Sequence, residues 1–305
     1  MSEYPAAPAA ALLPNEPRID PVPAQQALTA RFLLPALADL MACLLALRAM
    51  LDPVLQARQP TKHGKPYPLG QCLEISSAVL QQLQQLRQMP QDGCSVLQEQ
   101  AARGWTALAA FLRAGGSLRQ VWGDLRGEYF QNAFAVGTLY VDVSNDTVVA
   151  TKPKVEILPF GDANLSPLAD YFHFARIASR YWGDQVYPNH VLPELAPYCP
   201  LVHVTASGTV QLNATTGYMV ALTLRGAFRP SEQVLALDPM PDSPFTSLKT
   251  ALAGLDACLA VDPIHGRGLA LAHCDAYRRH DWHRLPAPSQ RIMQAVRRVN
   301  QRLAS

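Results

Sequence analysis

The stretch Tyr129-Phe130-Gln131-Asn132-Ala133-Phe134-Ala135-Val136-Gly137-Thr138-Leu139-Tyr140-Val141-Asp142-Val143 is dense in aromatic and β-branched residues and is interrupted by one glycine. It predicts two strands, 129–136 and 138–143, joined at Gly137 by a hairpin turn. A further strand is expected over 154–158. Three more, over 201–206, 210–214 and 218–224, read as an antiparallel meander with turns at Ser207-Gly208 and Thr215-Thr216-Gly217.

On either side of these strands the apolar period becomes helical. Ala27 to Gln56 is a helix expected to bend at Pro35. Arg58 to Gly70 carries Pro60, Gly64, Pro66, Pro68 and Gly70, and so reads as a loop. From Cys72 to Gln88, Ile75, Val79, Leu83 and Leu86 recur at helical spacing. Another helix is expected from Cys94 to Arg113, stopped by Gly115-Gly116. Later helices are expected over 168–182, 247–260 and 289–303, with a Pro-rich connection between Pro188 and Pro200.

Helices before and after a block of antiparallel strands predict an α+β fold, with N-terminal helices packed on a central antiparallel sheet and further helices at the C-terminus. Residues 1–24, rich in Pro and Ala, read as a flexible lead-in. The rest, 25–305, is expected to form a single α+β domain: helical over 25–125, sheet-rich over 126–230 and helical over 245–303.

The 305 residues are 49% hydrophobic and 16% charged, which supplies a large core and excludes disorder of the whole chain. The low charge leaves apolar surface to cover and so favours a partner or self-association. A net charge of +2 is too balanced for a nucleic-acid footprint. The C-terminal arginines, from Arg291 to Arg302, read as the solvated face of a helix. No basic segment leads into an apolar run at the N-terminus, so no secretory signal is expected. Phe32 to Leu51 is very apolar but holds Pro35, Asp39 and Arg48. Asp or Arg at a bilayer centre costs roughly 2.5–3.5 kcal/mol each, so a buried helix is expected here and no membrane span. The six cysteines form no CxxC pair and suit reduced thiols in a cytoplasmic setting.

One cysteine has the setting of a nucleophile. Cys72 follows the loop Tyr67-Pro68-Leu69-Gly70-Gln71 and opens a helix, where unpaired N–H groups and the positive dipole end favour a thiolate. Gln71 is placed to donate an amide N–H to an oxyanion. Gly70-Gln71-Cys72-Leu73-Glu74-Ile75-Ser76-Ser77-Ala78, with a sheet to follow, resembles the papain/transglutaminase-like cysteine fold. Leu73 stands where transglutaminases carry an aromatic residue.

That resemblance implies a histidine base and an orienting Asp or Asn. In the transglutaminase order Asp142, or else Asp146, suits the Asp place, but no histidine lies between Cys72 and Asp142. Gln131 or Asn132 occupies the histidine place, and neither side chain is a base. In the papain order His203 serves instead, roughly 130 residues after Cys72 and within the roughly 130–150 of such enzymes. Asn213 on the next strand would then orient it. His173 and His190 are less favourably placed.

A separate group, His265, His273, Cys274, Asp275, His280, Asp281 and His283, clusters late in the chain. On a helix His280 and His283 would share a face, with His273 two turns earlier, as zinc or iron ligands do. Arg278, Arg279 and Arg284 oppose a cation there. No phosphate-binding glycine loop and no GxSxG elbow is present.

The leading expectation is a cysteine-dependent hydrolase, amidase or acyl transferase acting on a peptide or small-molecule amide or ester. Cys72 would be its nucleophile, His203 its base, Asn213 or Asp142 the orienting group and Gln71 the oxyanion donor. No cofactor, metal or nucleic acid is required. The alternatives are a non-catalytic binding or scaffold relative of the same fold and a metal-dependent enzyme using the C-terminal histidines.

Overall fold

A computed structural model describes residues 11–19, 22–62, 64–88, 97–213, 215–254 and 258–304. Against the single domain expected over 25–305, internal contacts divide the chain into two compact units, Asn15–Pro167 and Met1–Pro14 with Leu168–Ser305. Each unit gathers its own sheet and helices. No Pro-, Gly- or Ser-rich linker marks the junction near Pro167, which is why composition left it unseen. The class is α+β, with helices before and after antiparallel strands.

In the Asn15–Pro167 unit the first helices are α1 (Val22–Leu28) and α2 (Leu37–Arg58), joined through a π-turn and a 3-10 turn that holds Pro35. The bend therefore falls where proline removes a backbone donor. Next come the short β1 (Thr61–Lys62) and β2 (Lys65–Pro66), then α3 (Cys72–Gln88) and α4 (Glu99–Arg113). Cys94, expected to begin the last of these helices, lies outside the described residues.

A five-stranded antiparallel sheet follows: β3 (Leu118–Leu125), β4 (Tyr129–Val136), β5 (Leu139–Asp142), β6 (Glu156–Pro159) and β7 (Leu165–Ser166), in the order β6-β5-β4-β3-β7. Gly137 turns the β4–β5 hairpin at φ +58°, with Val136 opposite Leu139.

The sheet buries both faces, which explains the apolar run Ala133-Phe134-Ala135-Val136 at the end of β4. Phe134, Val136 and Val141 pack into the helical core with Leu40, Leu44, Val79, Leu83, Leu108 and Phe111. Ala133, Ala135 and Tyr140 join Val121, Leu125 and Leu165 in a second cluster. Helices α2 and α4 approach so closely at Gly104 that a Cβ there would sit 2.0 Å from the Asp39 carbonyl oxygen.

The sheet also corrects two expectations. Strand β3 falls inside the stretch read as helical, because Arg119, Gln120 and Asp124 hide its alternation. The lead-in is partly ordered. Asn15 accepts a 2.8 Å bond from the Trp122 N–H, Pro17 covers Gly123, and Arg119 bonds the Arg18 carbonyl. A backbone acceptor and a proline ring leave no periodic trace in a sequence. The remaining lead-in positions, 1–10 and 20–21, lie outside the described residues.

Beside this sheet Arg48 is fully buried in α2. It pairs with Asp52 at 2.8 Å and Asp146 at 3.0 Å, and donates to the Val143 and Lys154 carbonyls. Asp52 also accepts from Tyr67 and Lys154. Every donor of the guanidinium fork thus finds an acceptor, which is the condition for burying one.

The other unit holds α5 (Tyr171–Trp182), β8 (Gln185–Pro188), β9 (Leu201–Val204), β10 (Val210–Leu212), α6 (Gly217–Arg225), α7 (Arg229–Leu235), α8 (Asp242–Ala251), α9 (Pro263–Arg279) and α10 (Pro286–Leu303). Its sheet order is β10-β9-β8. The expected meander is corrected at both ends. Its third strand, 218–224, is helix α6, begun by the Thr216 side chain accepting from the Met219 N–H at 3.2 Å. Thr215-Thr216-Gly217 is therefore a helix cap, where a turn was expected. The strand completing the sheet is β8, which lies just before the Pro-rich connection and ends at its Pro188. Likewise the helix expected over 247–260 is α8, and an unforeseen α9 starts at Pro263 under the Asp262 cap.

Candidate functional site

Cys72 is the first residue of α3. Gly70 reaches it in a left-handed conformation, φ +73°, and donates its N–H to the Thr147 carbonyl at 2.9 Å. The Gln71 carbonyl accepts from Ile75, the first helical bond. The helix-start position expected of a nucleophile is thus present, but the thiol is buried. Burial pushes it above its ordinary range. The Asn132 amide opposes this shift by donating to the sulfur, and the nearby Asp142 carboxylate adds to it.

Asn132 stands on β4 and turns its side-chain amide to Cys72, with Nδ2 3.4 Å from Sγ. Its neighbour Gln131 donates Nε2 to Asp142 at 2.7 Å. Asp142 also accepts from the Tyr140 hydroxyl at 2.9 Å and the Ser144 N–H at 2.7 Å. The Ser144 hydroxyl lies 3.0 Å from Asp142 and 3.1 Å from the Asn132 carbonyl, which ties the carboxylate to the residue that touches the thiol. Burial raises the Asp142 carboxyl to about 6, although these donors pull the other way. Cys72 is thus met by the Asn132 amide, while Asp142 is held by Gln131, Tyr140 and Ser144.

Two sequence candidates have other work. Gln71 donates Nε2 to the Gln59 carbonyl at 2.9 Å, and its Oε1 is buried without a partner. Asp146 is held by Arg48.

His203 belongs to the other unit, on β9. It is fully buried. Its Nδ1 lies 3.0 Å from Asp184 Oδ2, Nε2 has no partner, and the rings of Phe174 and Trp182 flank it at 5.8 and 6.1 Å. The residue that orients His203 is therefore Asp184, where Asn213 was expected. The Asn213 carbonyl instead accepts from the Cys199 thiol at 3.5 Å. Asp184 escaped the sequence reading because Gly183-Asp184 after a helix looks like ordinary turn chemistry. Asp184 precedes β8, whose Val186 registers with His203.

Other histidines are accounted for locally. The Nδ1 of His190 accepts from the Met240 N–H at 3.1 Å, so Nε2 carries the proton donated to the Leu235 carbonyl; burial lowers the pKa of this neutral ring. His173 Nδ1 accepts from the Ala169 N–H. In the late cluster α9 ends at Arg279, and His280 and His283 lie beyond it in a tight turn, so they do not share a helix face. His273 packs on Tyr277 and His283 on Phe228. Among the described residues no three His, Cys, Asp or Glu side chains are grouped to hold a metal ion.

Comparison with family models, curated proteins and solved structures returns no match to this chain.

Proposed function

We propose that the Asn15–Pro167 unit is a non-catalytic binding or scaffold module arranged like a papain/transglutaminase-type cysteine enzyme. One observation carries this reading: the side chain that meets Cys72 is the Asn132 amide, 3.4 Å from the sulfur. An amide donates a hydrogen bond but takes no proton, so the side chain bonded to the thiol is not a base. Burial raises the thiol further and stabilises the neutral S–H form. The test is a gain of function. Asn132→His restores an imidazole, and Cys72 alkylation at neutral pH is expected to quicken on the order of tenfold. Wild type and Cys72→Ala are expected to hydrolyse an activated ester equally slowly. Wild-type turnover that Cys72→Ala abolishes would sink the reading.

The Asp184–His203 pair favours a second reading, in which the chain is a hydrolase, amidase or acyl transferase with His203 as a general base. A carboxylate on Nδ1 and an unpartnered Nε2 are what a general-base histidine needs. Wild-type esterase activity lost in His203→Gln would select it.

A further inference from the structure

Helix α2 is apolar on its outer side as well as on its core side. Between Leu37 and Leu55 its exposed positions are Ala38, Leu45, Ala49, Met50, Pro53 and Val54, without a single polar residue among them. Leu45, Met50 and Val54 are 41%, 42% and 63% exposed. An exposed helix ordinarily carries its charges on this side. Here the charges within the helix are turned away or neutralised: Arg48 and Asp52 are buried together, and Asp39 pairs with Arg103. By length and composition Pro23–Arg58 would even cross a membrane, although its inner side is committed to the core through Leu40, Leu44 and Leu47.

The ends of the ridge indicate what covers it. Arg31 stands exposed before the N-terminal end, and Arg58 at the C-terminal end. A second copy fits this pattern poorly. Antiparallel across a two-fold axis, Arg31 of one chain would meet Arg58 of the other, and parallel packing would set like on like. An anionic lipid surface fits both parts, since the apolar ridge enters the acyl boundary while the basic ends stay among acidic headgroups.

We infer that the outer face of α2 docks the protein peripherally on anionic membranes, lying in the interface without spanning it. The test is co-sedimentation of the full chain with phosphatidylcholine vesicles that contain or lack phosphatidylserine. Binding is expected only with phosphatidylserine. Arg58→Gln should weaken it roughly fivefold, the value of one interfacial charge. Leu45→Glu with Val54→Glu should weaken it by about tenfold or more while leaving the unfolding temperature near that of wild type, because both positions are exposed. Failure to bind phosphatidylserine vesicles would overturn the inference, as would binding indifferent to both variants. So would a wild-type dimer that Leu45→Glu with Val54→Glu converts to monomer, which would show the face to be a self-association surface.

Discussion

The Asn132 side chain points its Nδ2 at Cys72 Sγ from 3.4 Å, across the gap between the central strand β4 and the first turn of α3. The buried thiol opens the helix, and the Asp142 carboxylate is held by Gln131, Tyr140 and Ser144. Asn132 fixes the sulfur without activating it, and its own carbonyl is tied through Ser144 to Asp142.

Asp142 gives a pH dependence with a definite sign. Its carboxyl sits at about 6 in the fold against an ordinary 3.8, raised chiefly by burial. The folded chain therefore holds this proton more tightly than the unfolded chain. The associated stability is complete below about pH 4 and is lost as pH rises through about 6, by roughly 3 kcal/mol in all. Asp142→Asn cannot ionise, so urea denaturation between about pH 4 and 7 should show a flatter pH profile than wild type. Equal slopes would contradict the assignment.

Arg48 predicts a large loss. Arg48→Met removes the partner of two carboxylates, Asp52 and Asp146, and leaves them in a buried site. Breaking one side of such a network costs about 3–5 kcal/mol, which chemical denaturation would register as a lower midpoint. A change below about 1 kcal/mol would mean that solvent reaches the network.

Gly104 tests the α2–α4 contact. An added methyl would lie 2.0 Å from the Asp39 carbonyl oxygen, a backbone atom that no side-chain rotation can move. Gly104→Ala should destabilise by about 1–3 kcal/mol despite the better helix propensity of alanine. A stabilised variant would show that the two helices separate at little cost.

Much of this was legible in the sequence where the signal is local. The hairpin at Gly137 and the helix opening at Cys72 stand where turn residues and apolar spacing place them. Signals shared with another structure were misread. Thr216 caps a helix with the same residues that make a turn, and Arg119 and Asp124 mask a strand that is buried at one end. The Asp184–His203 pair was illegible for another reason. It joins the residue before one strand to the middle of the next, and neither local segment marks it.

Peptide-resolved alkylation across pH tests most directly whether Cys72 is unactivated. The exposed free thiol of Cys258 is the internal standard. At neutral pH the buried Cys72 should react far more slowly than the exposed Cys258, gaining rate only at alkaline pH. Faster labelling of Cys72 than of Cys258 below about pH 8 would mark an activated thiolate and contradict the account.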